Sequence, residues 1–247
     1  DAIMTIKLLE LFPEELSSSG DSGNAQTVAY RLQKLGAVVE IVSWNGDNPL
    51  PTEVNAVFIG NGPWSAALKV LPKIRAIQVQ LKAFAEQNIP IFAVGVGAEL
   101  LSESIRSADG VQHEGLGVFA FDVVREADRR VGYMRISSSN GDLIGFGDFA
   151  SRWTLRAGAH PLGNAVVGDR PSEVFVEGCT LGNSIATRLG GPALPLNPTL
   201  ASPIVSTVAL RHGIMPSTEN MEIDVYAENA RSLIVKNIDS VFTTIAL

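Results

Sequence analysis

The chain carries one cysteine in 247 residues, which leaves no partner for a disulfide and no set of ligands for a thiolate zinc centre. Histidine is almost as scarce. His113, His160 and His212 stand far apart, and none forms a His-x-x-x-His or His-carboxylate spacing, so the sequence offers neither a metal site nor a cofactor. Basic residues are in the minority, 19 against 26 acidic, giving a net charge of −7. That balance argues against a nucleic-acid groove and against a face for an anionic membrane. No apolar run approaches the roughly 20 residues of a membrane span. The opening residues lack the pattern of an export signal, so the expectation is a cytoplasmic protein. Asp1, Ala2 and Ile3 precede the first Met4 and read as an expression remnant. No Gly-x-x-x-x-Gly-Lys-Ser/Thr string is present, which argues against a phosphate-cradling loop. Gly60-Asn61-Gly62 and Gly95-Val96-Gly97 each lack the third glycine of a dinucleotide fingerprint.

What the sequence does have is apolar content, 46% of its residues, arranged in two styles. Up to about residue 100, continuous apolar strands alternate with helical spacing. Met4–Leu11, Val38–Trp44, Ala56–Ile59 and Ile89–Val94 read as strands; Asn24–Leu35 and Lys73–Gln87 read as helices. This alternation implies a parallel sheet covered on both faces, an α/β three-layer fold. Further on, Val118–Val124, Val131–Ser137, Glu173–Val176 and Ser184–Leu189 read as short strands, before helices at Thr199–Leu210 and Asp224–Lys236. No linker divides the chain. The expectation is one domain over 1–247, with 213–247 as a C-terminal helical extension whose Tyr226, Ala230, Leu233 and Ile234 form a docking face.

Sites in such folds form where strand ends turn into helices. Three turns qualify: Ser17–Asn24, Gly60–Ser65 and Gly95–Glu99. The last has the strand, tight glycine turn and helix of a nucleophile elbow, yet the elbow position is Gly95, which has no attacking atom. Cys179 is the one thiol. Pairing it with His160 or His212 has no support from spacing, and a small apolar residue in a turn is the simpler reading. Asp21 or Asn24 suits the start of the first helix, while Asp21 also lies at the rim of the strand-end cleft. Arg129 and Arg130 serve either as solvated charge or as a carboxylate clamp.

These segments, in this order, resemble the CobB/CobQ-type class I glutamine amidotransferases, and among them the GatD-type glutaminase subunits that work with MurT-type ligases. Ser19-Gly20-Asp21-Ser22-Gly23-Asn24 is similar to the family's opening Gly-Asp-x-Gly-Asn, and Phe58-Ile59-Gly60-Asn61-Gly62 to its glycine-rich strand end. Gly115-Leu116-Gly117-Val118, Arg130-Val131-Gly132, Pro161-Leu162-Gly163-Asn164 and Gly191-Pro192-Ala193-Leu194-Pro195-Leu196-Asn197-Pro198 complete the series. The resemblance implies a flavodoxin-like fold with a mostly parallel central sheet. It also implies a thiolate nucleophile at position 95 and a histidine base at position 190. Here those positions are Gly95 and Gly190, and the Glu-Asn-His triplet that the resemblance implies after Gly145-Phe146 is replaced by Gly147-Asp148-Phe149.

Thioester chemistry needs a thiolate to attack the amide carbon and a base to move the proton. With both absent, the leading expectation is a catalytically silent relative that binds, scaffolds or regulates, linked to peptidoglycan amidation. A Mur-ligase-like subunit or a second copy of the chain would be its partner. Two alternatives stand beside it: an active glutaminase supplying ammonia to a MurT-type ligase, and an enzyme of another class reusing the strand-end cleft. Candidate cleft residues are Asp21, Gly60, Gly62, Val96, Glu99, Arg130 and Asp148. Val96 and Phe149 add bulk where substrate would pass, and Glu99 would repel a glutamine carboxylate.

Overall fold

In the computed structural model, which describes residues 5–217, 221–240 and 243–246, the alternating first part of the chain becomes one sheet. In chain order come β1 (Thr5–Leu11), α1 (Ser22–Lys34), β2 (Val38–Trp44), β3 (Val54–Ile59), α2 (Trp64–Arg75), α3 (Gln78–Glu86), β4 (Ile91–Val94) and α4 (Gly95–Leu100). Two late strands, β11 (Cys179–Leu181) and β12 (Ser184–Thr187), join them in the order β11-β12-β4-β3-β1-β2. All pairings in this sheet are parallel except β11 with β12. Four-residue β4 is buried throughout, as a strand covered on both faces must be. The mostly parallel central sheet is as the sequence predicts, and its β2-β1-β3-β4 order is the flavodoxin-like arrangement.

The second style of sequence forms a second sheet. Its backbone is a long hairpin of β7 (Phe121–Ser138) and β8 (Gly141–Leu155). Around it lie β5 (Ser104–Arg106), β6 (Gln112–Glu114), β9 (Gly163–Val167), β10 (Phe175–Glu177), β13 (Leu189–Gly190) and β14 (Thr243–Ala246). Short α5 (Ala193–Leu196), then α6 (Pro198–Arg211) and α7 (Glu222–Lys236), lie between β13 and β14 in the chain. Two apolar clusters form the core. One joins Leu9, Ile59 and Ala93 to Phe121 and Trp153; the other joins Leu8, Phe58 and Val94 to Met134 and Leu143. Each cluster therefore draws on both sheets.

Several expectations need correction. The helix read over Lys73–Gln87 is two helices, with Ala76 and Ile77 between them making tight i→i−3 backbone bonds to Lys73 and Ile74. Ile74, Ile77 and Leu81 are all buried, as their spacing predicts. The strands read at 118–124 and 131–137 are one strand with an irregularity: Arg125 faces Ser151 and Arg130 faces Phe149, so four residues of β7 oppose one of β8. Gly147, Asp148 and Phe149 lie within β8. Cys179 is in a strand rather than a turn. On α7, Tyr226 and Leu233 are exposed but Ala230 and Ile234 are half-buried, so the inward face runs through Asp224, Ala227, Ala230, Arg231 and Ile234.

Candidate functional site

The ends of β1, β3 and β4 bring three turns together. Asp21 stands just ahead of α1 but does not cap it; its Oδ2 accepts backbone N–H bonds from Ser19 (3.3 Å) and from Asn61 (3.1 Å) across the crest. Asn24, buried, reaches sideways to accept from the Leu194 N–H at 2.9 Å. Burial raises the Asp21 carboxyl from 3.8 to about 6 against the pull of its N–H donors, and its Oδ1 is buried without a partner. Gly60 makes the junction possible: a Cβ there would lie 2.5 Å from Asp21 Cβ. Gly60 also accepts the Gly97 N–H at 3.2 Å, tying the second turn to the third.

The turn from β4 into α4 is sharp, with Gly95 at φ +56°, the left-handed conformation of an elbow residue. The space above Gly95 is taken. A Cβ at 95 would lie 2.8 Å from Asn61 Cβ and nearer still to its Oδ1 and Cγ. Asn61 Oδ1 accepts the Val96 N–H at 2.9 Å, and its Nδ2 donates to the Asp148 carbonyl at 3.4 Å. Val96 itself is buried.

Gly190, on β13, is by contrast uncrowded. A Cβ there would meet the Phe146 carbonyl at 3.4 Å and Ser19 Cβ at 3.5 Å, ordinary contacts. Beside it lies a cavity of about 350 Å³ lined by Ser18, Ser19, Tyr133, Phe146, Asp148 and Gly191. Arg129 grips Asp148 with two bonds, Nε to Oδ1 at 2.6 Å and Nη2 to Oδ2 at 2.5 Å, and the carboxylate holds that guanidinium above its ordinary value. Arg130 is exposed, with its guanidinium 5.7 Å from the Phe175 ring centroid. The carboxylate clamp is thus made by its neighbour, and its carboxylate belongs to the chain itself.

Glu99 faces inward rather than into the cleft. It pairs with Arg125 and accepts from Ser151 Oγ and, at 3.4 Å, from Trp153 Nε1. Ser151 continues the network through its carbonyl to Arg188 Nη1 at 2.9 Å, and Arg188 pairs with fully buried Glu177 at 2.8 Å. The Arg188 guanidinium lies between 4.7 and 5.0 Å from the Phe149, Trp153 and Phe175 rings, which places Phe149 under a cation and away from the crest.

The remaining chemical groups lie elsewhere. Cys179 is buried, and burial pushes its thiol up to about 11. His113 stacks edge-on with Trp64, His160 pairs through its backbone with Thr180, and His212 ends α6 beside Asn55 and the Val208 carbonyl. Among the described residues no group of three His, Cys, Asp or Glu side chains is placed to hold a metal ion. No helix of the described residues is long and apolar enough to cross a membrane. The turns therefore hold Asp21, Gly60, Gly62 and Val96 at one corner and Asp148 near the other, while Glu99 and Arg130 point away. Sequence reading missed Asn61, Arg125, Glu177 and Arg188. A Glu and an Arg inside otherwise apolar strand surroundings were the available signal for the last pair.

Residues 24–197 match the model of the CobB/CobQ-like glutamine amidotransferase domain. Among curated proteins, the chain is similar to the GatD subunit of lipid II isoglutaminyl synthase (glutamine-hydrolyzing) from Staphylococcus aureus, 26% identical over 226 residues, covering 90% of this chain and 91% of the relative. The same subunit from Streptococcus pneumoniae is 27% identical over 208 residues, 82% and 80% of the two chains. Among solved structures, a glutamine amidotransferase superposes with a TM-score of 0.53 at 17% identity, covering 81% of this chain and 98% of the other. A glutamine amidotransferase from Thermotoga maritima superposes at 0.50 and 13% identity over 95% and 98%. The structural matches speak for the fold alone.

Proposed function

The chain belongs to the CobB/CobQ-like glutamine amidotransferase family, and from that premise we propose that it is a member that does not hydrolyse glutamine and serves as a binding or scaffolding subunit. By likeness to the GatD subunits, its partner is a Mur-ligase-like chain and its setting is the amidation of lipid II in the cytoplasm. The observation that supports the reading is chemical: among the described residues, neither a thiol nor an imidazole lies at the crest. Glycines stand at the two positions where the motif resemblance assigns nucleophile and base. The one thiol, Cys179, is buried on the edge strand β11 and is hard to ionise. The three histidines stand on other elements: His113 on β6 beside Trp64, His160 at the backbone bridge to Thr180, and His212 at the end of α6. Loss of a nucleophile–base unit removes on the order of 10⁶ in turnover.

The test is ammonia release. Purified chain incubated with glutamine, alone and with a co-expressed Mur-ligase-like partner, should release no more ammonia than buffer; robust glutamine-dependent release overturns the proposal. Affinity purification of the chain from its native cells should bring a Mur-ligase-like chain with it.

A further inference from the structure

The crest poses a second question, which does not depend on whether the chain releases ammonia: what fills the corner where an elbow fold ordinarily receives an acyl oxygen? In such folds the N–H of the residue after the elbow donates to the developing oxyanion. Here that donor is the Val96 N–H. It sits in the first turn of α4, where backbone N–H groups have no partner within the helix. Its partner is Asn61 Oδ1, an sp² carbonyl oxygen, at 2.9 Å.

We infer that the Asn61 side chain is a built-in occupant of this corner, a positioning residue whose amide stands in for an acyl group and shuts out any external carbonyl or anion. Its placement is fixed from several sides. The Asn61 backbone N–H donates to Asp21 Oδ2, its carbonyl accepts the Ser18 N–H at 3.1 Å, and Nδ2 reaches the Asp148 carbonyl of β8. The same side chain occupies the volume that any Cβ at position 95 would need, so Asn61 as placed requires glycine at 95. A free donor at the corner and a side chain larger than hydrogen at 95 both require Asn61 to leave.

Two measurements decide it. The first is amide hydrogen exchange at Val96. Replacing Asn61→Gly should speed exchange of that one amide about tenfold, the scale of a lost hydrogen bond. The Val57 amide, bonded to the Pro90 carbonyl, should stay unchanged. Acceleration below about threefold at Val96 would overturn the inference. The second is a double-mutant cycle in urea with Gly95→Cys, Asn61→Gly and both together. Gly95→Cys should lower the unfolding midpoint more with Asn61 present than with Asn61→Gly, and its thiol should react with iodoacetamide more slowly. The left-handed backbone at 95 penalises cysteine equally in both backgrounds and cancels. Equal losses in the two backgrounds would overturn the inference. If Gly95→Cys does not fold, Gly95→Ala supplies the same cycle, and the exchange measurement stands without either.

Discussion

Asp21 shows how one buried carboxyl leaves a mark on the stability of the protein. Its carboxyl titrates near 6 in the fold and near 3.8 when solvated, so between those values the folded chain binds more protons than the unfolded one. Stability from this group is therefore greatest at low pH and declines as pH rises from about 4 to 6, by about 3 kcal/mol for such a separation. Asp21→Asn, which keeps an oxygen for the Ser19 and Asn61 N–H groups, should flatten the decline and match or exceed the wild type at pH 7. Urea midpoints at pH 4.5 and 7 for both proteins check this. A parallel decline in the two would assign it to another group.

At the scale of elements, the buried charges that join α4, β7, β8, β10 and the end of β12 hold the second sheet against the first. Arg188→Ala would strand Glu177 inside the protein and should cost about 3–5 kcal/mol in denaturant unfolding. Replacing the pair together, as Glu177→Gln with Arg188→Met, should recover much of that loss. A double variant as unstable as Arg188→Ala would mean that the aromatic contacts of the guanidinium dominate.

These elements also show what the sequence discloses. β4 is readable because both of its faces are covered, so its apolar residues run on without a break, while β1 and β2 are readable as apolar runs interrupted only by Lys7, Glu10, Glu40 and Ser43. β8 is not, because Gly141–Leu155 contains three glycines, Asp142, Asp148 and Arg152, a composition that reads as loop. Gly145 and Gly147 answer to close packing, as at Gly145, where a Cβ would sit 2.6 Å from the Gly190 carbonyl, whereas Gly141 answers to the left-handed backbone of the hairpin turn. The three crest turns are legible from their glycines. Asn61 is not, since its role exists only once residues 21, 61, 96 and 148 meet. Its residue type fits a turn equally well, and nothing local marks the difference.

For the whole molecule, two sheets that share both apolar clusters should unfold as one unit. Trp44 belongs to the first sheet and Trp153 to the second, so fluorescence and far-ultraviolet circular dichroism should give superimposable urea transitions. Two separated transitions would mean that the long hairpin melts by itself. On α7, exposed Tyr226 and Leu233 contribute little to this unit, and Tyr226→Ser or Leu233→Ser should change stability by less than about 0.5 kcal/mol. Asp224 is different: it pairs with buried Arg31 at 2.5 Å, and Asp224→Ala should lower the midpoint clearly.

The seclusion of the lone thiol equips the protein with its own tracer. Cys179 lies where edge strand β11 pairs with β12, with 1% of its surface exposed, so a maleimide added to native protein has nothing to label until that margin of the sheet swings open. Pulse labelling across a temperature ramp, read by mass spectrometry on a single site, would then time the parting of the sheet's border against the melting of its interior.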